Sequence, residues 1–383
     1  MPWASKLSRA LVLLLAGFAT ACTADPSADP GQAAGPEVTD PRELIVLTEP
    51  PADLLIARAQ ARGYVLRTVY PLDELGDELV VFQIPPGLTI AQAIAEIEAD
   101  VPGVTAGAHH VYYLQASPPV DRNYAGPLMR WPETGCRAMQ RIGIIDAGIA
   151  SSHPALIAGR ITQERFFAGD QPPVTDHGSL MADLLIGPGR LADAALFSAN
   201  VVDPAQGDGD AAGVVSILRA VDWMRLNDVA LVNISLAGPR NKLMNRALGR
   251  AASDGMVFVA AAGNSGPGAP PQFPAAFPFV LAVTAIDQDQ AVYAQAVHGD
   301  HIDVAAPGVD ILVPSAGGLK IKSGTSVAAP FVTAVLAADP QLANTSIERA
   351  RRDLRARAMD LGSPGWDPVF GAGLVLAPEG CLG

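Results

Sequence analysis

Ser323-Gly324-Thr325-Ser326-Val327-Ala328-Ala329-Pro330 is the stretch that decides the fold, and an apolar run with good helix formers follows it from Phe331 to Ala338. A glycine before a serine at a helix start puts that serine on a tight turn, near the positive end of the helix. Pro330 is acceptable only in the first turn, where no N–H is needed. We therefore expect Ser326 to face outward at the start of a buried helix. It is either an ordinary capping serine or a nucleophile, which would need a base and a carboxylate elsewhere.

The composition bounds the class of protein. The chain has 383 residues, of which 49% are hydrophobic and 17% are charged, and its net charge is −13. Stretches with helical periodicity alternate with short apolar runs, which favours an α/β fold. Because the net charge is negative and no stripe of Lys and Arg forms a basic patch, we expect no nucleic acid partner.

The N-terminus has the pattern of an export signal. Lys6 and Arg9 precede an apolar run over residues 11–18, which is too short to span a bilayer. The small residues 19–21 and then Cys22 follow. We predict a signal peptide over residues 1–21, of the lipoprotein type with Cys22 lipidated, or an ordinary secretory signal cut after Ala21. The protein would then be periplasmic or at the cell surface and anchored in the membrane by lipid, with secretion as the alternative.

Two further features concern the segment after the signal and the remaining cysteines. Residues 22–42 are rich in Ala, Pro, Gly and Asp, which predicts a flexible tether. The other two cysteines are Cys136 and Cys381. If Cys22 carries lipid, an even pair remains in an oxidising compartment, and we expect it to form a disulfide. Two unpaired buried cysteines are the alternative.

Residues 43–115 predict a small α/β domain. Strands are expected at Glu43–Leu47, Val65–Tyr70, Leu79–Ile84 and Val111–Leu114, and helices at Ala52–Arg62 and Thr89–Ala99. This βαββαβ order is the ferredoxin-like arrangement. His109 and His110 have no evident partners and are interpreted as surface residues. The domain is either a binding module or a pro-segment, with its junction near Gln115 and Ala116.

Polar residues stand at the ends of several elements in residues 116–383. Asp146 ends the apolar strand 141–146, where α/β sheets place functional groups, although it could also be a simple turn residue. His177 begins a stretch with helical periodicity. Asn264 follows the buried strand 257–261 closely. We predict no cofactor or metal ion; a structural calcium ion is possible, but no specific motif supports it.

In the order Asp146, His177, Asn264 and Ser326, these residues and their flanks resemble the subtilisin-like serine peptidases, or subtilases. Asp146 matches the aspartate of an apolar-strand-Asp-x-Gly motif, and His177 matches the histidine of a His-Gly-Thr motif. Ser326 matches the serine of a Gly-Thr-Ser-x-Ala-x-Pro motif. The resemblance runs from about residue 142 to the C-terminus. It implies a three-layer α/β/α fold with a mostly parallel sheet in residues 116–383, preceded by an inhibitor-like propeptide domain in residues 43–115.

The resemblance also implies roles for single residues. Ser326 would be the nucleophile, His177 the base and later the acid, and Asp146 the group that orients the imidazole. Asn264 would donate a hydrogen bond to the oxyanion. An extended peptide would pair with a strand of the protein. The implied substrate-binding residues are Ser235, Leu236 and Ala237 on one wall, and Ala261, Ala262 and Gly263 on the other.

Three positions depart from the family pattern. Ser179 stands where threonine is usual, Ala237 where glycine is usual, and Phe331 where histidine is frequent. The added methyl group of Ala237 predicts a narrower pocket and a preference for side chains of modest size. None of the three departures removes a catalytic group.

The leading hypothesis is an exported serine endopeptidase that hydrolyses extended polypeptides. It would be made as a self-processing zymogen with its own propeptide as inhibitor. One alternative is a catalytically silent peptide-binding protein on the same scaffold. Another is a peptide acyl-transfer enzyme, similar to a ligase or macrocyclase.

Overall fold

A computed structural model describes residues 39–114, 124–169, 171–206, 210–315 and 318–381. The predicted signal peptide, the lipidation site Cys22 and the junction at Gln115 and Ala116 lie outside these residues. No helix within the described ranges is long and apolar enough to cross a membrane.

The N-terminal elements form a four-stranded antiparallel sheet with two helices. In chain order they are β1 (Glu43–Thr48), α1 (Asp53–Ala61), β2 (Val65–Leu72), β3 (Asp77–Gln83), α2 (Ile90–Asp100) and β4 (Thr105–Ala108). The strand order β2-β3-β1-β4 is ferredoxin-like, as the βαββαβ pattern predicts.

Strand β1 is apolar from Leu44 to Leu47 because both of its faces are covered. Leu44 and Val46 belong to the same apolar cluster as residues of α1 and α2. Ile45 and Leu47, on the opposite face, join a cluster built mainly from later parts of the chain. Successive side chains of a strand point to opposite faces, so a strand buried on both sides loses the usual alternation of polar and apolar residues.

The rest of the chain carries a larger set of elements. In chain order they are β5 (Val111–Leu114), α3 (Ala125–Leu128), β6 (Cys136–Arg137), β7 (Ile142–Asp146), α4 (Pro154–Ile157), β8 (Ile161–Arg165), α5 (Asp176–Ile186), β9 (Leu191–Ala192), β10 (Leu196–Asn200), β11 (Ala211–Gly213), α6 (Val214–Leu226), β12 (Leu231–Ile234), β13 (Leu236–Ala237), α7 (Lys242–Ser253), β14 (Val257–Ala261), β15 (Val280–Ile286), β16 (Ile302–Pro307), β17 (Ile311–Ser315), β18 (Gly318–Lys322), α8 (Thr325–Ala338) and α9 (Ile347–Arg357).

Seven of these strands form one parallel sheet in the order β16-β15-β14-β12-β7-β10-β8. Helices α5, α8 and α9 contribute to the core on one face, and α6 and α7 to the core on the other. The predicted three-layer α/β/α architecture is confirmed. The carboxyl ends of β7, β12 and β14 meet at one edge of the sheet, which is where ligands bind in such folds.

Strand β5 is not part of the N-terminal sheet, so the predicted pairing of Val111–Leu114 is wrong. The last strand of that sheet is β4, whose sequence Thr-Ala-Gly-Ala has little strand propensity and gave no signal. Strand β5 lies instead between β11 and β13, antiparallel to both. The strand itself was predicted correctly, but its partners come from a distant part of the chain.

The histidine pair between β4 and β5 is also placed differently from the prediction. His109 is buried, and its Nδ1 lies 2.7 Å from Glu43 Oε2. Nδ1 of His110 lies 2.9 Å from Asn241 Nδ2. The expectation of two surface residues is wrong for His109, because β4 and β5 join different sheets and the connection between them is enclosed.

The N-terminal sheet packs against α6 and α7. Ile45 and Leu47 of β1 share an apolar cluster with residues of both helices. At the edge of this contact, Arg246 donates to the buried Asp77 at 2.8 Å, and Lys242 Nζ lies 2.6 Å from Glu98 Oε1. An apolar centre with a charged rim is the usual anatomy of a protein–protein interface.

Cys136 and Cys381 are brought together, as the predicted disulfide requires. Their sulfur atoms are in bonding contact and their Cα atoms are 5.2 Å apart. This Cα separation falls within the range that a disulfide allows. Whether the pair is oxidised in the cell stays a prediction.

Candidate active site

His177 lies in the first turn of α5, and Asp146 holds its ring. Asp146 Oδ1 accepts hydrogen bonds from His177 Nδ1 at 2.7 Å and from the backbone N–H of Ala147 at 2.7 Å. The carboxyl group of Asp146 is fully buried and His177 is nearly so, which shields the pair from water. A ring that donates from Nδ1 presents Nε2 as a proton acceptor.

Ser326 stands on the other side of this ring. Its Oγ lies 3.4 Å from His177 Nε2, so the three side chains form one line from carboxylate to hydroxyl. Gly324, which precedes α8, has a φ of +153°, a backbone region that side chains rarely allow. The glycine of the motif is therefore required to start the helix at this angle. The prediction that Ser326 is exposed is wrong. Its side chain is fully buried, and β5 occupies the cleft beside it.

Pro330 is not in the first turn of α8, as the sequence suggested, but at the sixth residue of the helix. Having no N–H, it cannot donate to the carbonyl of Ser326 four residues earlier. The hydroxyl of Ser235 approaches that carbonyl at 3.5 Å. A side chain from outside the helix thus makes the proline acceptable at this position.

Asn264 is oriented by the residue before Ser326. Its Oδ1 accepts from the backbone N–H of Thr325 at 3.0 Å and from Thr325 Oγ1 at 2.9 Å. The N–H of Gly263 donates to Thr325 Oγ1 at 3.0 Å. Because the carbonyl end of the amide faces Thr325, the NH₂ end is turned away from it. An amide nitrogen held in this way can donate to a negative charge that develops beside Ser326.

The predicted substrate-binding wall is occupied by the chain itself. Leu236 pairs with Leu114 of β5, and Ala237 pairs with Tyr113. Strand β11 pairs with the other edge of β5, from Ala211 to Gly213. An extended segment therefore lies in the gap that the sequence assigned to a substrate.

The opposite predicted wall follows β14. Ala261 and Ala262 are fully buried, and the next residue, Gly263, is hydrogen-bonded to Thr325. The structure thus gathers Asp146, His177, Asn264, Ser326 and both predicted walls at the carboxyl edge of the sheet. Their roles in catalysis and in substrate binding stay predictions.

Two buried polar residues behind Ser326 were not singled out from the sequence. Asn233 Nδ2 donates to Ser235 Oγ at 2.8 Å, and Thr333 Oγ1 donates to Asn233 Oδ1 at 3.1 Å. Thr333 is on α8, so this chain of hydrogen bonds ties the helix of Ser326 to β12. The available signal was an asparagine inside the apolar run of β12, since a buried amide needs partners.

The side chains of the site provide for acid–base and nucleophilic chemistry. In the part of the chain that the structure describes, no group of three or more His, Cys, Asp or Glu residues is arranged to hold a metal ion. A carboxylate, an imidazole and a hydroxyl in line are the groups needed for acyl transfer.

Comparison with known proteins agrees with this geometry. A family model described as the subtilase family matches residues 139–373, a range that includes Asp146, His177, Asn264 and Ser326. The minor extracellular protease Epr of Bacillus subtilis is 29% identical over 248 residues, which cover 61% of this chain and 37% of that protein. Subtilisin Savinase of Lederbergia lenta is 31% identical over 252 residues, which cover 62% of this chain and 88% of that protein.

A solved structure extends the likeness in fold over more of the chain. Fervidolysin from Fervidobacterium pennivorans matches with a TM-score of 0.71 and 22% identity, over 90% of this chain and 61% of that chain. At this identity the match concerns the fold alone. The chain spans little more than a third of the Epr protease and less than two thirds of fervidolysin.

Proposed function

The chain belongs to the subtilase family, and from this premise we propose that it is an exported serine endopeptidase made as a self-processing zymogen. The line of hydrogen bonds from Asp146 through His177 to Ser326 is the observation that carries the proposal. The three residues serve as orienting acid, general base and nucleophile.

The reaction proceeds by acyl transfer. Ser326 Oγ attacks the carbonyl carbon of the scissile peptide bond while His177 Nε2 takes its proton. Asp146 keeps the imidazole in the required tautomer and stabilises its protonated form. The side-chain amide of Asn264 and the backbone N–H of Ser326 donate to the oxyanion. His177 then protonates the leaving amine, and water hydrolyses the acyl-enzyme through the same groups.

The substrate is an extended polypeptide. Strands β11 and β13 both pair with β5, and this supports a mode of binding in which a peptide adds a strand to the protein. The backbone hydrogen bonds of such a strand do not depend on side chains. The side chains that Ser235, Leu236, Ala237, Ala261, Ala262 and Gly263 accommodate then decide between substrates.

Residues 43–115 act as an inhibitory propeptide, and residues 116–383 as the peptidase. Strand β5 lies in the cleft, and the sheet that precedes it packs on α6 and α7. The bond near Gln115 and Ala116 follows directly after β5. This arrangement supports cleavage at that junction by the active site of the same molecule.

Export follows from the signal pattern of residues 1–21, with residues 22–42 as a tether. A relative whose name describes it as extracellular agrees with export. Lipidation of Cys22 would hold the uncut chain at a membrane, and cleavage near Gln115 and Ala116 would separate the peptidase from this anchor. The mass of the N-terminal peptide of the uncut Ser326→Ala chain tests this part of the proposal.

A fluorophosphonate probe tests the activity. The full chain should be cut near Gln115 and Ala116 and then become labelled at Ser326. The Ser326→Ala chain should remain uncut at this junction and unlabelled. An unlabelled but folded wild-type chain would indicate a silent binding protein, and normal cutting of Ser326→Ala would assign processing to another protease. Joined peptides among the products would instead indicate an enzyme of the ligase or macrocyclase type, in which an amine of a second peptide takes the acyl group in place of water.

A further inference from the structure

Tyr124 lies nine positions after Gln115 in the sequence, and its hydroxyl group reaches the carboxyl edge of the parallel sheet. The side chain is partly buried and packs against the core cluster that contains α8. Its hydroxyl lies 2.7 Å from the carbonyl oxygen of Val309 and 2.9 Å from that of Ile286, and it accepts from the N–H of Val309 at 3.3 Å. One side chain from the start of the peptidase region thus meets two distant segments.

These contacts join the ends of two neighbouring strands. Ile286 is the last residue of β15, and Val309 follows β16 closely. The N–H of Gly308 also donates to the carbonyl of Ile286, at 2.9 Å. Burial raises the pKa of Tyr124, and the carboxylates of Asp287 and Asp310 act in the same direction, so the hydroxyl keeps its proton and can donate. A buried hydroxyl with both a donor and an acceptor as partners holds such a junction firmly.

Residues 308–310, which connect β16 to β17, hold the turn before Ser326. The N–H of Gly324 donates to the carbonyl of Gly308 at 2.7 Å. The N–H of Asp310 donates to Ser323 Oγ at 2.8 Å, and Ser323 Oγ donates to Asp310 Oδ1 at 3.1 Å. Two consecutive residues of the turn are therefore bound to this connection.

The packing at Gly308 leaves no slack in the contact. A methyl group at Gly308 would lie 2.8 Å from the carbonyl oxygen of Gly324 and 2.9 Å from the Cβ atom of Ala328 on α8. Closely packed protein interiors transmit small displacements. A shift of the 308–310 connection would therefore move the start of α8, where Ser326 lies.

We propose that Tyr124 is a positioning residue for Ser326, so that the N-terminal segment of the processed peptidase supports its active site. Tyr124 acts through the 308–310 connection and does not touch the substrate. Because it lies after the proposed junction, it stays with the peptidase when the propeptide is removed. The proposal rests on the proposed peptidase function.

Tyr124→Phe keeps the ring and removes the hydroxyl. The full chain is allowed to process itself, its active sites are counted with a fluorophosphonate, and it is given Val-Tyr-Tyr-Leu-Gln coupled to a fluorogenic amine. We expect kcat for each titrated site to fall about fivefold with KM unchanged, because a nucleophile held less precisely reacts more slowly. The rate constant of fluorophosphonate labelling should fall by the same factor. A kcat equal to that of the wild type would overturn the proposal, while labelling of Ser326 would still support the peptidase function.

Trp131→Phe is the matched control. Trp131 belongs to the same segment and core cluster, and its Nε1 donates to the carbonyl of Gly189 at 3.1 Å, away from the 308–310 connection. Both variants lose one hydrogen bond from an aromatic side chain to a backbone carbonyl. Both should unfold at lower urea concentration than the wild type, but only Tyr124→Phe should lower kcat. An equal loss of kcat in the two variants would show general loosening of the core and would contradict a positioning role.

A measurement without catalysis separates failure of this support from failure of the enzyme. In the uncut Ser326→Ala chain, Tyr124→Phe should make hydrogen exchange of the Gly324 amide about tenfold faster, because the carbonyl that this amide contacts is held less firmly. Trp131→Phe should leave the exchange of Gly324 unchanged. Equal exchange of Gly324 in Tyr124→Phe and its parent chain would refute the support by Tyr124, whether or not the protein is a peptidase.

Discussion

Thr325 links the turn before Ser326 to the side chain of Asn264. Its N–H and its hydroxyl both donate to Asn264 Oδ1, and Gly263 donates to the hydroxyl in turn. Two donors on one carbonyl oxygen hold the amide in a single orientation. In the proposed mechanism, the hydroxyl of Thr325 would therefore act on the oxyanion through Asn264, without touching the substrate itself.

Thr325→Val keeps the shape of the side chain and removes this hydroxyl. We expect kcat to fall about tenfold with KM unchanged, because Asn264 stabilises the transition state in the proposed mechanism and would lose one of the two hydrogen bonds that hold it. In subtilisin, a member of the same family, loss of the whole oxyanion donor costs about 10²–10³. Steady-state kinetics with titrated enzyme measures the effect. Thr325→Ser retains the hydroxyl and should behave like the wild type; if Val is equally active, the backbone N–H alone orients Asn264.

The four residues of the candidate site could be picked out from the sequence, and the residues that support them could not; the catalytic roles of the four stay predictions. Asp146, His177, Asn264 and Ser326 each stand in a motif that is recognisable along the chain. Asn233, Thr333 and the hydroxyl of Ser235 act through contacts between segments that are far apart in sequence. For the same reason the position of Pro330 was predicted wrongly: the local rule on proline ignores a hydroxyl supplied by another element.

At the scale of elements, β5 shows what strand propensity can predict and what it cannot. Val-Tyr-Tyr-Leu has the β-branched and aromatic residues of a strand, and a strand forms. Its partners were predicted wrongly, because pairing depends on which edges the rest of the fold leaves open. The N-terminal sheet is completed instead by β4, the Thr-Ala-Gly-Ala segment, whose small residues predict a strand poorly. These small residues fit against α7, because a side chain added at Gly107 would contact Leu243.

Helix α6 contacts the N-terminal part through a carboxyl group. Asp222 Oδ1 accepts from the backbone N–H of Leu75 at 3.0 Å. Burial raises the pKa of Asp222 to about 6, although hydrogen bonds from the backbone N–H groups of Leu75 and Glu74 act in the opposite direction. The carboxylates of Asp73 and Glu74 raise it further. A raised pKa means that the folded state favours the protonated form, so this contact is most stable in acid.

Asp222→Asn should therefore remove a dependence on pH. The ordinary pKa of the group is 3.8, so its penalty grows as pH rises from about 4 to about 6 and is complete above about 6. Asparagine keeps the oxygen that Leu75 needs and carries no charge. In the uncut Ser326→Ala chain, we expect Asp222→Asn to raise the urea midpoint above pH 6 and to leave it unchanged at pH 4. Urea unfolding at several pH values measures this.

An exposed aspartate provides the control for this experiment. The side chain of Asp228 is 90% exposed, beside Arg141. Asp228→Asn should leave the difference between pH 4 and pH 7 as it is in the parent chain. An equal effect of both substitutions would show that net charge, and not the burial of Asp222, causes the dependence.

At the scale of the whole molecule, the chain order of the motifs and the alternation of helix and strand were sufficient to predict both folds. The apolar runs of the buried parallel strands are long enough to be recognised in the sequence. The N-terminal βαββαβ order was also predicted, although its last strand was assigned to the wrong segment. What could not be predicted is how the two folds meet. In the sequence alone, nothing shows which elements the apolar face of β1 packs against. Nor does the sequence show that Asp77 and Arg246 pair at the rim of that contact.

The pairing of Cys136 with Cys381 concerns the molecule as a whole, since it joins residues 245 positions apart. Closing so long a loop restricts the unfolded chain strongly, and removing a native disulfide costs about 2–5 kcal/mol. In the Ser326→Ala background, Cys136→Ser together with Cys381→Ser should lower the free energy of unfolding by this amount in urea titrations. A reducing agent should lower the stability of the parent chain similarly and leave the double variant unaffected. Cys22→Ser, which spares the pair, is the matched control. Two titratable thiols in the folded parent chain, with no response to reduction, would show that the cysteines are packed side by side without a bond.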